Sequence, residues 1–146
     1  MTNISTDLAV AMLQTAADYP EREGDTTPSV SIFSGPLPNS IADPVDVEDN
    51  VHLASFEFED GMFGPAALVE GETRVEAVAP DMTAVEAVGA GEATFYRAYD
   101  ANGAAFLQGE VSDDPESSLD MIINQVNITL GAEVRIERFV IGVDVG

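Results

Sequence analysis

Apolar and polar positions alternate most clearly between residues 91 and 111, GEATFYRAYDANGAAFLQGEV, where two aromatic or apolar runs flank Asp100-Ala101-Asn102-Gly103. A run rich in Thr, Phe and Tyr, then Asn-Gly, then a second short run is a hairpin signal, because Asn and Gly tolerate the positive φ of a tight primed turn. The spacing predicts a central β-hairpin. Upstream, Ser5 or Thr6 can cap a helix, Asp7 suits the positive end of its dipole, and Leu8, Met12, Leu13 and Ala16 recur at helical spacing. That helix is expected to run to about Asp18 and stop before Pro20. It either packs back on a sheet, the favoured reading, or reaches out as a docking arm. Residues 20–28 (PEREGDTTP) read as a polar linker.

The remainder reads as strands. Ser29 to Ser34 puts Val30 and Ile32 on one face, and Gly35-Pro36-Leu37-Pro38 ends it. Residues 39–50 form a long acidic loop with Asp43, Asp46, Glu48 and Asp49. Val51 to Phe58 alternates Ala54, Phe56 and Phe58 against Leu53, Ser55 and Glu57, and Phe63-Gly64-Pro65 reads as a turn with an aromatic plug. Thr73, Val75 and Ala77 alternate with Arg74, Glu76 and Val78 ahead of Pro80, whereas Met82 to Val88 fits a strand or a helical turn equally. Residues 112–116 read as a loop, and Val126, Ile128 and Leu130 predict a strand that ends at Gly131.

The last strand changes parity. Val134 and Ile136 share one face, while Phe139, Ile141, Val143 and Val145 share the other, which predicts a bulge or bend near Glu137-Arg138. Seven or eight short strands separated by Gly, Pro and Asp turns point to an all-β antiparallel sandwich, jelly-roll-like or Ig-like. The expected organisation is one domain: an N-terminal helix in residues 1–19, a linker in 20–28 and the sandwich in 29–146.

Composition sharpens this picture through charge. The 146 residues hold 27 acidic side chains against five arginines (Arg22, Arg74, Arg97, Arg135, Arg138) and no lysine, a formal net charge of -22. Direct nucleic-acid binding is not expected, because such surfaces need cations against phosphates. Hydrophobic residues make up 45% of the chain and fall in patterned runs, so it is expected to fold rather than to stay disordered. Self-repulsion of this size weakens a compact state unless salt screens it, which suggests a high-salt setting; an acidic protein with a basic partner is the alternative. No run approaches the length of a membrane-spanning helix and no signal-peptide pattern opens the chain, so no membrane partner is expected.

Candidate chemistry is sparse. Cysteine is absent, which removes disulfides and thiolate metal sites. His52, the only histidine, reads as a partly exposed strand residue rather than a catalytic base or metal ligand. Asp100-Ala101-Asn102-Gly103 is a poor calcium loop, since Val111 stands where a bidentate Glu is required. The clusters Asp46/Glu48/Asp49 and Asp113/Asp114/Glu116 read as solvated acidic faces, and no carboxylate pair stands out for acid–base work. Asn3-Ile4-Ser5 and Asn127-Ile128-Thr129 match the glycosylation pattern, which is short enough to arise by chance. No catalytic residue, cofactor or metal site is expected.

The order VSIFSGPLP (30–38), HLASFEF (52–58), MFGPA (62–66), GEATFYRAYDANG (91–103), LQGEV (107–111) and VNITLGAEVRI (126–136) resembles a family of small β-rich virion structural proteins of tailed phages and prophages. The likeness covers roughly residues 28 to 143, and its motifs are turn and strand chemistry. The acidity and the long acidic loop depart from the usual pattern and suit a virus of a salt-loving archaeon. The resemblance implies a virion structural protein made in the host cytoplasm, foremost a decoration or cement protein on a tailed-virus capsid. A neck, tail or baseplate component is the runner-up. A glycan- or small-ligand-binding β-sandwich is the alternative from another class. The implied partners are the major capsid protein or other virion proteins and further copies of the chain. Interface candidates are Leu8 and Met12 on the helix and the cations Arg97, Arg135 and Arg138.

Overall fold

The computed structural model describes residues 5–144 other than 22, 23, 25, 47, 60, 70 and 72. Arg22, Val145, the Asn3-Ile4 part of the first glycosylation pattern and the side chain of Val143 lie outside the described residues. Helix α1 (Thr6–Asp18) comes first, followed by strands β1 (Ser29–Ser34), β2 (His52–Glu57), β3 (Ala67–Leu68), β4 (Arg74–Val78), β5 (Val85–Glu86), β6 (Gly91–Tyr99), β7 (Ala105–Ser112), β8 (Met121–Ile123), β9 (Asn127–Ile128), β10 (Glu133–Val134) and β11 (Ile136–Asp144). The protein is mostly β, with one short N-terminal α-helix.

Ser5 caps α1 by accepting the Leu8 N–H at 3.1 Å, and the chain then tightens into a 3-10 turn, Tyr19–Glu21, that contains Pro20. The helix packs back on β4 and β11. Its buried stripe is Ala9, Leu13 and Ala17, next to the expected one: Leu8 and Met12 are 49% and 51% exposed and Ala16 faces out. Small side chains explain the choice. Ala9 and Ala17 meet Ala66, Val75 and Ala77, so the backbones approach closely without a large side chain between them.

The main sheet runs β2-β1-β6-β7-β8-β11-β4-β3, with β9 beside β6, and β5 pairs with β10. The expected antiparallel pairing holds except at β7–β8, which is parallel because residues 113–120 carry the chain back along β7 before β8 begins. Val88 N–H donates to Leu53 C=O and Gly131 N–H to Ala87 C=O, which joins the β5–β10 region to β2. Asn124 N–H donates to Arg135 C=O and links the end of β8 to the segment between β10 and β11. Hydrogen bonds thus encircle a core that contains Ile32, Leu53, Phe56, Met62, Tyr96, Met121, Ile123 and Phe139. A second, smaller cluster lies under α1, and the plug residue Phe63 packs against both.

Three local readings change. The central hairpin is present, but no described non-glycine residue has positive φ; only Gly103 in the turn does, at +78°. The Asp100 carboxylate accepts from the N–H groups of Asn102 and Ala104, and Asp100 C=O accepts from Gly103 N–H, which holds a longer turn than Asn-Gly alone would make. Leu53 is buried rather than outward, because the β1–β2 register slips between Ile32 and Phe33 and makes it the extra residue. Leu130 is 72% exposed, because β9 stops at Ile128 and the chain turns at Gly131 (φ +82°). The bulge in the last strand is observed: Ile136 pairs with Ile123 and Arg138 with Ile122, leaving Glu137 extra. Val134, Ile136 and Phe139 therefore reach the same core despite their parities. Beyond Phe139, β11 leaves β8 and pairs with β4.

Candidate functional site

The outer face of β2, β1, β6 and β7 is built by strand register. Ser29, Ser31 and Phe33 on β1 stand opposite Glu57, Ser55 and His52 on β2 and opposite Tyr99, Arg97 and Phe95 on β6. Arg97 stands opposite Gln108 on β7. Val30 and Ile32 point the other way, into the core. A row of polar residues at alternate positions normally means a solvated sheet face. Here half of that face is covered.

The cover is the acidic loop between β1 and β2, held by three residues. Arg97, 4% exposed, donates from Nη1 to Asp43 C=O at 2.7 Å and from Nη2 to Gln108 Oε1 at 2.7 Å and Ser40 C=O at 3.4 Å. Gln108 Nε2 donates in turn to Pro38 C=O at 2.9 Å. Asn50 draws the loop's ends together, donating to Ser34 and Pro36 C=O and accepting from Asp46 N–H. The loop therefore lies over the β6–β7 half of the face and leaves the β1–β2 half open. One of its carboxylates does local work as well: Asp46 accepts from Glu48 N–H, just as Asp114 accepts from Glu116 N–H in the second acidic cluster.

The open half is a cleft of about 420 Å³. Its floor holds a hydrogen-bonded chain: His52 Nε2 lies 2.7 Å from Ser55 Oγ, which lies 2.9 Å from Ser31 Oγ. The His52 ring leans on Phe33, with centroids 5.5 Å apart, and Phe33 stacks on Phe95 at 5.2 Å. The segment ending at Pro28 forms a wall, because Thr26 N–H and Thr26 Oγ1 both donate to Ala101 C=O beside the hairpin turn. Pro28 C=O accepts from Phe58 N–H, so the linker is pinned at this end. Tyr99 completes the site. Burial pushes its hydroxyl above the ordinary 10.0, with Arg97 pulling the other way, so it is a neutral donor at neutral pH.

A second feature lies on the opposite flank of the hairpin. The exposed stripe of α1 and Tyr19 borders an apolar groove of about 590 Å³ with Phe106, Leu107 and Ile141, and Tyr19 packs on Phe106 at 5.5 Å. Leu8 and Met12 thus stand on an outward, apolar helix flank. Of the three candidate cations, Arg97 is enclosed under the loop, which leaves almost none of it to a neighbour. Arg135 is exposed and lies 3.3 Å from Glu137 and 3.9 Å from Glu133; Arg138, also exposed, donates to Ser117 and Leu119 C=O. Arg135 and Arg138 flank the bulge residue Glu137, and Leu8 and Met12 stand on α1.

Sequence reasoning missed the roles of Asn50, Gln108 and the Ser31–Ser55–His52 chain. The available signal was Arg97 itself, a cation inside a buried apolar run, which must find acceptors wherever the chain can supply them. No family model, curated protein or solved structure matches this chain.

Proposed function

We propose that this chain is a virion structural protein, a decoration or cement protein seated on the head of a tailed virus, with the β-rich body forming a sandwich. The order of turn and strand motifs along the sequence supports the virion assignment. The single observation that carries an assembly role is the way α1 divides its apolar residues. Ala9, Leu13 and Ala17 serve the intramolecular contact, while Leu8 and Met12 are turned to solvent. An exposed apolar stripe on so acidic a protein is unfavourable unless another surface covers it.

The occupant in this reading is the capsid shell protein. A body of charge -22 repels its own copies, so the surface it seats on supplies basic groups or works in screening salt. The mechanism is mechanical: apolar area buried across capsomer junctions contributes on the order of 25 cal/mol per Å² before the costs of association are subtracted. Quantitative protein counting of purified particles tests this, with hundreds of copies per particle expected and particles carrying Leu8→Ser/Met12→Ser protein retaining far fewer. Absence from purified particles overturns the proposal, and a handful of copies per particle moves the protein to the neck or tail.

A further inference from the structure

The chain has 27 acidic side chains in 146 residues, yet the cleft on the β1–β2 face is lined by neutral hydroxyls. Thr27, Ser29, Ser31 and Tyr99 line it with the His52 imidazole, and Ser55, exposed on the same sheet face, joins His52 to Ser31 in the hydrogen-bonded chain. Among the described residues that line the cleft, Asp100 is the one acidic side chain. It is 1% exposed, and its carboxylate accepts from the Asn102 and Ala104 N–H groups of the turn. Glu57, the register partner of Ser29, is exposed at the edge.

Among the described residues that line it, this is a surface of donors and acceptors without a lysine or arginine. Each hydroxyl offers one donor and two acceptor positions, and the imidazole offers one of each. In the chain from His52 through Ser55 to Ser31, the bonds already made restrict where the remaining lone pairs and hydrogens point, whichever of its two directions the chain runs. Pre-orientation of this kind lowers the ordering cost when a ligand arrives. A ligand that complements it carries several hydroxyls of its own and an apolar face to lie against the Phe33–His52 ring pair. Anions are disfavoured by Glu57 and by the net charge.

We infer that the cleft binds a neutral, hydroxyl-rich ligand, a sugar unit either free or within a glycan chain, oriented by Ser31, Ser55, His52 and Tyr99. The volume of about 420 Å³ suits one or two sugar rings. The inference is independent of the virion assignment, since it uses the opposite side of the hairpin from the α1 stripe.

The sole histidine makes the test local, because the ring proton signals of His52 report on this cleft alone. The full chain is titrated with methyl glycosides of glucose, galactose and mannose, with a linear glucan tetrasaccharide, and with galacturonate. At least one neutral sugar is expected to shift the His52 signals saturably at millimolar concentration. Ser31→Ala/Ser55→Ala is expected to weaken that binding about tenfold, the loss of one or two ligand hydrogen bonds, and to leave amide signals in α1 unmoved. Galacturonate is expected to bind more weakly than its neutral counterpart. A tetrasaccharide that binds more tightly than the monosaccharides assigns the site to a glycan chain, and equal affinity assigns it to a free sugar. The inference is overturned if no neutral sugar gives a saturable shift up to its solubility limit, if the shift is unchanged in the double variant, or if galacturonate binds equally well.

Discussion

Tyr96 lies at the centre of the main core, edge-on to Phe139 at 5.0 Å, and its buried hydroxyl has no hydrogen-bond partner among the described residues. Gly109 on the paired strand makes room for that ring, since a Cβ there would stand 2.9 to 3.1 Å from three of its atoms. Burial first, and then the negative charge of Asp120, raise the Tyr96 hydroxyl well above its ordinary 10.0. The folded state therefore holds Tyr96 neutral while the unfolded chain ionises near its ordinary value. Its contribution to stability is present below that pH and is lost as pH rises through and above it. Tyr96→Phe removes both the orphan hydroxyl and this linkage. It is expected to be neutral or stabilising by about 1 kcal/mol at pH 7 and to soften the alkaline loss of stability, as denaturant melts at neutral and alkaline pH would show. A variant destabilised at pH 7 would mean that the hydroxyl has a partner. Gly103 makes the converse case: at φ +78° with open space around it, conformation rather than room requires glycine. Gly103→Val is expected to cost about 1 to 2 kcal/mol. An unchanged denaturation midpoint would count against the turn geometry.

Among the elements, β11 carries the clearest structural test. Glu137 is the extra residue that lets Val134, Ile136 and Phe139 share one core, and the register with β8 shifts across it. Deleting Glu137 turns Phe139 and everything beyond it to the other face, a loss on the scale of truncating a buried aromatic, about 3 to 5 kcal/mol. Glu137→Ala keeps the residue count and is expected to change stability by about 0.5 kcal/mol or less, because its side chain is exposed. Urea midpoints of the two variants separate the register effect from the side-chain effect; equal loss in both would refute it. Parity across 133–143 made this bulge legible in the sequence, as did the period-2 runs of β1, β4 and β6. Pairs such as Ala67–Leu68, Val85–Glu86 and Asn127–Ile128, and the three-residue Met121–Ile123, are shorter than one readable period, and only their tertiary partners make them strands. Helical spacing likewise placed α1, but it pointed to the stripe of Leu8, Met12, Leu13 and Ala16 and not to the adjacent one that is buried. Close approach to Val75 and Ala77 decided that. The cleft was not legible because register assembles it from residues far apart in sequence, and serine and threonine are ordinary on any strand.

At the scale of the whole molecule, charge governs behaviour more than any single contact. Among the described residues, Arg74 pairs with Glu76 at 2.9 Å and Arg135 with Glu137 and Glu133, while Arg97 and Arg138 donate to main-chain carbonyls. Exposed pairs of this kind contribute about 1 kcal/mol or less each and do not offset a net charge of -22. Within one copy, folding tolerates the remaining repulsion because the exposed carboxylates stay solvated. Between copies side by side on a lattice the repulsion adds up, and it acts over about 10 Å at 0.1 M salt but only about 3 Å at 1 M. In the proposed role, assembly should therefore depend on salt more steeply than the isolated fold does. Particles dialysed from molar salt to about 0.1 M, where screening is weak, are expected to lose this protein while the isolated chain keeps its unfolding transition. Densitometry of bound copies, with thermal melts of the free protein at both salts, measures the two effects separately. Full retention at low salt together with an unaffected isolated chain would show that repulsion between copies is neutralised at the interface, which assigns the acidity to a basic partner surface instead.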